Sequence, residues 1–376
     1  MYLTRLALTD FRSYASADLV LEPGVSTFTG ANGQGKTNLI EAAGYAAAFA
    51  SHRVAADAPL IRRGAERAIV RAGIRGAGRD SLLEIEINPG RANRVRLNRV
   101  PVPRPREVLG TLLCVLFAPE DLSLVKGDPD QRRRYLDDLL VATRPRYAAV
   151  RADYERVVKQ RTALHKSTRA AGGGPGGALD VWDEQLVTKG TELTAGRLAL
   201  VGAIRPLAAR AYAAVSGEEQ SAGMRYRQPF GEKVFAEPSE PAADPAQLAA
   251  AMRAALQACR RAELERAVCL VGPHRDELEL NVGALPARGY ASQGESWSLA
   301  LALRLAAYDL LRADGEDPVL LLDDVFAELD TRRRERLAEL VAGAEQVLVT
   351  AAVTDDVPAK LAGARFTVSG GRVENA

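Results

Sequence analysis

Cysteine is nearly absent from this chain of 376 residues: Cys114, Cys259 and Cys269 are the only three. They are odd in number, far apart and never in a C-x-x-C pair. That excludes a disulfide framework and points to a reducing cytoplasm, with core packing as their expected role. Histidine is as scarce. His52, His165 and His274 are scattered without metal-ligand spacing, so no histidine metal site is expected. An excess of one charge is missing too. Fifty lysines and arginines face 48 acids, a net charge of +2, and bulk charge alone announces no nucleic-acid partner. Met1-Tyr2-Leu3-Thr4-Arg5 lacks the basic-then-apolar shape of a signal peptide. The apolar stretch Ala42 to Ala50 is short, and no run is expected to reach the roughly 18 residues that span a bilayer. No internal repeat is visible.

What is present is an ordinary hydrophobic fraction of 47% and a chain long enough for one large domain or two moderate ones. Residues 1 to about 100 read as strand-rich. Leu6 and Leu8 alternate ahead of Phe11-Arg12-Ser13-Tyr14. Leu82 to Ile87 and Arg94 to Leu97 read as hairpin strands about Asn88-Pro89-Gly90. Leu112 to Phe117 is a continuous apolar run, expected as a strand buried on both faces. From Pro129 to Lys166 the pattern is helical and charged. A second helical stretch runs from Asp180 to about Tyr212, with Trp182, Leu186, Leu193, Leu198 and Val201 as packing positions. The glycine-rich segment Ala171 to Gly177 between them predicts a loose tip on an antiparallel helical arm. A second loose segment, Glu237 to Pro241, precedes a third helix from about Pro245 to Ala267. The last third returns to α/β character, with Val319 to Leu322 and Val347 to Val349 as short buried strands. The expected organisation is therefore an α/β head in two halves, 1–128 and 268–376, split by an inserted helical arm at 129–267.

The strongest motif is Gly30-Ala31-Asn32-Gly33-Gln34-Gly35-Lys36-Thr37, which fits G-x-x-x-x-G-K-[ST] at every fixed position. The glycines let consecutive N–H groups turn inward around a diphosphate. Lys36 reaches the β- and γ-phosphates and the Thr37 hydroxyl ligates Mg²⁺. The alternating, β-branched Val25 to Thr29 reads as the strand before it. Asn38 to Ala43 reads as the helix after it, whose N-terminus favours phosphate charge. Pro318-Val319-Leu320-Leu321-Leu322-Asp323-Asp324 is an apolar strand ending in two acids. Beside a phosphate loop, the first acid holds Mg²⁺ and the second orients or deprotonates water. Ala291-Ser292-Gln293-Gly294-Glu295 opens a helix over Ser298 to Leu311. Ser292 is placed either as a plain cap or as part of an anion site.

In this order, followed by Glu328-Leu329-Asp330, the motifs resemble the ABC-type ATPase head of transporters, SMC proteins and DNA-repair ATPases. Within that group the chain resembles the bacterial RecF family. The residues that carry this are Leu6-x-Leu8-x-x-Phe11-Arg12-Ser13-Tyr14, Gly30 to Asn38, Ser51-His52-Arg53 and Phe117-Ala118-Pro119-Glu120-Asp121-Leu122. To these are added Val125-Lys126-Gly127, Arg132-Arg133-Arg134-Tyr135-Leu136-Asp137, Gly272-Pro273-His274-Arg275-Asp276 and Ala291-Ser292-Gln293-Gly294.

The resemblance implies an ATP-dependent homodimer, each ATP lying between the phosphate loop of one chain and the signature of the other. Gly30 to Asn38, Arg12, Ser292 and Gly294 would contact ATP. Thr37 and Asp323 would hold Mg²⁺, Lys36 and Asp324 would be the catalytic pair, and Asp330 would face the partner head. It also implies slow DNA-dependent ATP hydrolysis used as a switch and binding of single-stranded gaps and single-strand/double-strand junctions. RecO and RecR would be partners in loading RecA, with links to replication and the SOS response. No DNA-contact residue is assigned. The tract Arg132-Arg133-Arg134, Arg144, Arg146, Arg151, Arg156, Lys159, Arg161, Lys166 and Arg169 reads equally as a solvated face or as phosphate contacts.

Three departures stand out. Glu295-Ser296-Trp297 replaces the family's Gln-Gln-Arg. Alanines follow Val347 to Thr350 where transporter heads place a histidine. No glutamine loop is visible, with Glu120 and Asp121 as candidates for its place. A transporter's nucleotide-binding subunit is the alternative reading, but Lys36 and Asp323 lie too far apart in sequence for a compact transporter head. Co-purification with membranes would favour it. A purely structural SMC-type clamp would need long uninterrupted heptads, and the arm here is short.

Overall fold

The structure is a computed structural model that describes residues 1–170, 178–217, 221–228 and 244–376. The glycine-rich segment at 171–177 and the segment 237–241 lie outside the described residues. The first part of the chain forms β1 (Tyr2–Phe11), β2 (Tyr14–Val20), β3 (Gly24–Thr29), α1 (Lys36–Ala48), β4 (Ala68–Gly76), β5 (Arg79–Ile87), β6 (Arg94–Leu97), β7 (Val100–Val102) and β8 (Cys114–Phe117). The middle forms α2 (Leu122–Lys126), α3 (Pro129–Thr143), α4 (Tyr147–Ala170), α5 (Ala178–Ser216), β9 (Ala222–Arg227) and α6 (Pro245–Arg266). Then follow β10 (Glu277–Val282), β11 (Leu285–Pro286), α7 (Ala287–Tyr290), α8 (Gln293–Ala313), β12 (Val319–Asp323), α9 (Thr331–Val341), β13 (Gln346–Ala351), β14 (Ala364–Ser369) and β15 (Arg372–Asn375).

Contacts divide the chain into two compact units. One comprises Met1–Leu122, Arg210–Glu219 and Ser292–Ala376; the other comprises Ser123–Ala209 and Gln220–Ala291. In the first, an antiparallel sheet runs in the order β2-β1-β4-β5-β6-β7. A second sheet runs β15-β14-β3-β13-β12-β8, parallel from β14 to β8, with β15 antiparallel at one edge. Buried side chains of β1 (Leu3, Leu6, Leu8, Phe11), of α1 (Leu39, Ile40, Ala42, Ala43, Tyr45) and of the parallel strands (Leu321, Leu348, Phe366) form one core. α1 is small and apolar around most of its circumference, as a helix packed on several sides requires. Each large side chain so buried contributes about 2 kcal/mol. β12 and β13 are buried throughout, as continuous apolar runs demand. β8 differs from expectation. It is an edge strand, so Val115 and Phe117 are buried while Cys114 and Leu116 are only partly so.

The second unit is the helical one. The helical pattern from Pro129 breaks at Arg144, which leaves helical geometry at φ −142° ahead of Pro145, because proline excludes the α conformation from its predecessor. α4 and α5 run antiparallel, shown by Arg146–Glu192, Lys189–Asp153 and Arg161–Asp183 pairing in reverse order. Leu186, Leu193, Leu198 and Val201 are buried, and Trp182 is half-buried. Over one 18-residue window α5 is long and apolar enough to cross a membrane by length and composition. That corrects the expectation that no stretch reaches such length. The helix also carries Arg197, buried and paired bidentately with Asp137 at 2.7 and 2.8 Å. Residues 268–291, placed with the head from sequence, pack in this unit, since β10 pairs with β9 over six residue pairs from Glu277↔Arg227 to Val282↔Ala222.

Candidate nucleotide site

The site is built where β3, β12 and β13 end. β3 turns through residues 30–35 into α1, whose first residue is Lys36. Two glycines are sterically required. A Cβ on Gly30 would lie 2.2 Å from the Val368 carbonyl oxygen of β14, and one on Gly35 would lie 2.8 Å from Ser13 Oγ and 2.9 Å from Tyr14 Oη. Gly35 also takes φ +114°, the left-handed geometry that opens α1. The Lys36 ammonium folds back along the loop and donates to Gly30 O at 2.8 Å and Ala31 O at 3.3 Å. A phosphate entering the loop would exchange these neutral acceptors for charged ones.

The loop is braced from outside. The Tyr14 hydroxyl donates to Gly35 O at 3.0 Å. The Gly370 N–H donates to Gln34 Oε1 at 2.7 Å, so the β14–β15 turn grips the loop from the far end of the sequence. Asn38 Nδ2 donates to Ser13 Oγ at 2.9 Å and Arg53 Nη1 to Asn38 Oδ1 at 3.2 Å. Arg12 lies beside this helix start, in left-handed geometry at φ +53°. Its guanidinium forks onto Glu41 at 2.7 and 2.5 Å and reaches Pro59 O at 3.0 Å. Glu41 is fully buried. Burial pushes its carboxyl up, but hydrogen bonds from Arg12 and Ser51 and the charges of Arg12 and Arg53 outweigh this and hold it below the usual range. The Ser51 and Arg53 of the Ser-His-Arg motif thus serve the same acid as Arg12.

Asp323 ends β12 in register with Thr350 of β13. The Thr350 hydroxyl donates to Asp323 Oδ1 at 2.8 Å and accepts from the Asp324 N–H at 2.8 Å. Burial pushes the Asp323 carboxyl up to about 6. The charges of Asp324 and Glu120 push the same way, and hydrogen bonds with Thr350 and Thr37 oppose them. Thr37 and Asp323 are therefore brought together by chains of contact from opposite ends of the sequence. Asp324 leaves the strand in left-handed geometry at φ +48°, half-exposed. Of the two candidates for the missing glutamine, Asp121 is committed elsewhere. It is buried, accepts from Ala118 N at 3.0 Å and pairs with Arg304 at 2.5 Å. Glu120 is exposed and its charge acts on both Asp323 and His52.

Ser292 caps α8, which begins at Gln293, earlier than the Ser298 start read from the sequence. Its hydroxyl accepts from Glu295 N at 3.2 Å, and Glu295 Oε2 accepts from Ser292 N at 2.7 Å. This reciprocal capping box explains the acid where the family pattern has glutamine. Trp297 and Ser296 are buried core positions of the helix. Asp330 caps α9, accepting from Arg333 N at 2.9 Å and pairing with the Arg333 guanidinium. Arg333 in turn donates to Ser298 Oγ at 3.0 Å, and a Cβ on Gly294 would lie 2.8 Å from its Nη2. Gly294 is thus the clearance that lets Arg333 cross α8.

His274, by contrast, is structural. Its ring lies 2.6 Å from the Tyr154 hydroxyl and 3.1 Å from Cys269 O, and burial lowers its pKa to about 4. Among the described residues no cluster of three or more His, Cys, Asp or Glu side chains could hold a metal alone. Thr350, Tyr14 and the Gln34–Gly370 bond were missed by sequence reasoning. Tyr14 stands in the Phe11-Arg12-Ser13-Tyr14 motif and Thr350 follows the apolar Val347 to Val349, but neither position by itself points to these contacts.

The family model described as RecF/RecN/SMC N terminal domain matches residues 2–361. The chain is 62% identical over 382 residues to the DNA replication and repair protein RecF of Frankia alni, covering 99% of each chain. It is 58% identical over 381 residues to the protein of that name from Streptomyces avermitilis, covering 100% of each. Its fold matches a solved structure of the recombination mediator protein RecF with ATP, in the RecFOR pathway, with a TM-score of 0.90 and 26% identity over 100% of this chain and 97% of that one. An Smc head bound to the C-winged helix domain of ScpA matches at a TM-score of 0.56 and 18% identity, a likeness of fold alone, covering 100% of this chain and 97% of that one. The chain belongs to the RecF family of DNA replication and repair proteins, an α/β ABC-type ATPase head of the SMC group with an inserted helical arm.

Proposed function

We propose that this protein is an ATP-dependent DNA-binding protein of replication and recombinational repair, switched by nucleotide between monomer and dimer. The observation that carries the reading is the meeting of Lys36, Thr37 and Asp323 at the strand ends, with Thr350 bridging the two acids. Gly30 to Asn38 would cradle the phosphates of ATP. Arg12, already fixed by Glu41, would add a cation beside them. The donor set suits Mg²⁺. One buried carboxylate and one hydroxyl leave room for phosphate oxygens and water, which is how this ion is usually held. Burial of Asp323, reinforced by the charges of Asp324 and Glu120, disfavours its ionised form, a penalty that a bound cation would offset. Thr37 and Asp323 would hold the ion, which supplies charge neutralisation at the phosphates. Asp324 would orient the attacking water, with slow hydrolysis resetting the switch and Glu120 beside it.

Ser292 and Gly294 would meet the γ-phosphate bound by the partner chain, with Asp330 nearby. The exposed Ser292 cap at the N-terminus of α8 suits an anion. The relatives' names support action on DNA. On that basis the substrates are single-stranded gaps and single-strand/double-strand junctions. RecO and RecR are partners in loading RecA, in a cytoplasmic setting linked to replication and the SOS response. Binding would be through backbone and junction shape. The test is sedimentation velocity with ATP, ADP or no nucleotide, beside binding of a gapped duplex. Wild type is expected to dimerise with ATP alone and to bind DNA best in that state. Lys36→Ala should do neither. A variant that dimerises with ATP at wild-type concentrations would overturn the reading.

A further inference from the structure

Residues 91–107 hold six arginines, no lysine, no aromatic residue and one acid, Glu107. They form the turn after β5, the β6–β7 hairpin and the approach to a short 3-10 helix, Pro105–Val108, that packs on both strands. The hairpin closes the antiparallel sheet, with β7 as its edge. Val95 is buried opposite Ile85 and anchors the hairpin, while Arg94 and Arg96 alternate with it on the exposed face. Pro101 removes one backbone donor from the edge, so side chains rather than a docked strand are offered to a partner.

These arginines are largely uncompensated. Arg94 reaches Glu86 at 3.6 Å, an acid it shares with Arg67, and Arg104 reaches Glu107 at 3.8 Å. Arg91, Arg96, Arg99 and Arg106 have no acidic partner among the described residues. In the basic tract of α3 and α4 a larger share of the cations is paired. Arg132 pairs with Glu277, Arg146 with Glu192, Arg151 with Asp138, Arg156 with Asp153 and Arg161 with Glu263. That tract stitches the helical unit together.

The hairpin tip adds an independent sign. Leu97-Asn98-Arg99-Val100 turns through two left-handed residues, Asn98 at φ +51° and Arg99 at φ +69°. Such turns favour asparagine then glycine. Asn98 fits, and its Oδ1 accepts from Leu82 N at 2.8 Å. Arg99 stands, exposed, where glycine would fit without strain.

We infer that the β6–β7 hairpin is a nucleic-acid binding element that holds the sugar-phosphate backbone through Arg91, Arg96, Arg99 and Arg106. The inference rests on the DNA-binding reading above and gives it a location. Without an aromatic platform the contact is to phosphate and carries no base specificity. The partner is DNA rather than an acidic protein segment because the family acts in DNA replication and repair.

The test uses the full chain and a 30-bp duplex, titrated in ATP between 50 and 200 mM salt. Each phosphate contact contributes about 0.9 to the slope of log affinity against log salt. Arg96→Ala/Arg99→Gly/Arg106→Ala should flatten that slope by up to about 2.7 and weaken binding at least tenfold at 50 mM salt. Nucleotide affinity should stay at wild type. Arg99→Gly alone guards against misfolding: its melting temperature should equal or exceed wild type while DNA affinity falls. Wild-type affinity and slope in the triple variant would overturn the hairpin assignment alone. Loss of polyglutamate binding with DNA binding intact would overturn it in favour of an acidic protein partner. A wild-type protein that binds no DNA in any nucleotide state would overturn the DNA-binding reading and this one with it.

Discussion

Replacing Asp323 by asparagine should stabilise the nucleotide-free head while destroying its chemistry. The Asp323 carboxyl is moved from an ordinary 3.8 to about 6, chiefly by burial. Ionising it in the folded head therefore costs roughly 3 kcal/mol, as an upper figure. The sign follows from proton binding. Below about pH 3.8 both folded and unfolded chains are protonated there and no penalty exists. Between about 3.8 and 6 the folded chain keeps a proton that the unfolded chain has lost, so stability falls as pH rises. Above about 6 the whole penalty is present. Asp323→Asn keeps an oxygen to accept from Thr350 and carries no charge. Its gain should be about 1 kcal/mol at pH 4.5 and up to about 3 kcal/mol at pH 7.5. Trp182 and Trp297 are the only tryptophans. In a Trp182→Phe background, urea unfolding followed by Trp297 fluorescence reports on the head. Mg²⁺-ATP should raise the midpoint of the parent and leave that of the variant nearly unmoved. A gain of equal size at both pH values, or a loss at pH 7.5, would refute the argument.

Asp324→Asn should spare ATP binding and slow phosphate release by at least a hundredfold, leaving a long-lived dimer. Unchanged turnover would move the catalytic role to Glu120. Gln34→Ala removes the grip of the β14–β15 turn on the phosphate loop. It should weaken nucleotide affinity about fivefold, the worth of one net hydrogen bond of ~1 kcal/mol, without altering the maximal hydrolysis rate. Isothermal titration set beside steady-state turnover decides this, and a fall in the maximal rate at unchanged affinity would argue against a positioning role.

Local, contiguous features were legible in the sequence. The strand, glycine turn and helix around Lys36 follow one another without interruption, and the apolar run ending in Asp323 and Asp324 needs both faces covered. The cap at Ser292 is legible in the sequence, and the spacing to Glu295 also spells the reciprocal capping box, although Glu295 stands there as a departure from the family pattern. What escaped were pairings between distant segments. Thr350 meets Asp323 because β12 and β13 are parallel neighbours in register. Gln34 meets Gly370 because β14 lies beside β3. The position of 268–291 depends on β10 finding β9. The basic tract of α3 and α4 drew attention as a run of like charge, but several of its acids arrive from distant elements, Glu277 from β10, Glu192 from α5 and Glu263 from α6. Arg96 and Arg99 of the hairpin have no ion pair because the neighbouring strand β5 supplies only Glu84 and Glu86, acids engaged by Arg71, Arg67 and Arg94.

Sedimentation velocity of two variants, alone and mixed, tests the composite ATP-bound dimer most directly. Ser292→Arg places a bulky cation at the start of α8 and leaves the phosphate loop of its own chain untouched. It should bind ATP as a monomer with near-normal affinity and fail to dimerise. Mixed with Lys36→Ala, it should regenerate at most one composite site per heterodimer, seen as partial ATP-dependent association. Loss of nucleotide binding in the Ser292→Arg monomer would contradict the cross-chain arrangement, and full dimerisation of that variant with ATP would reduce Ser292 to a helix cap.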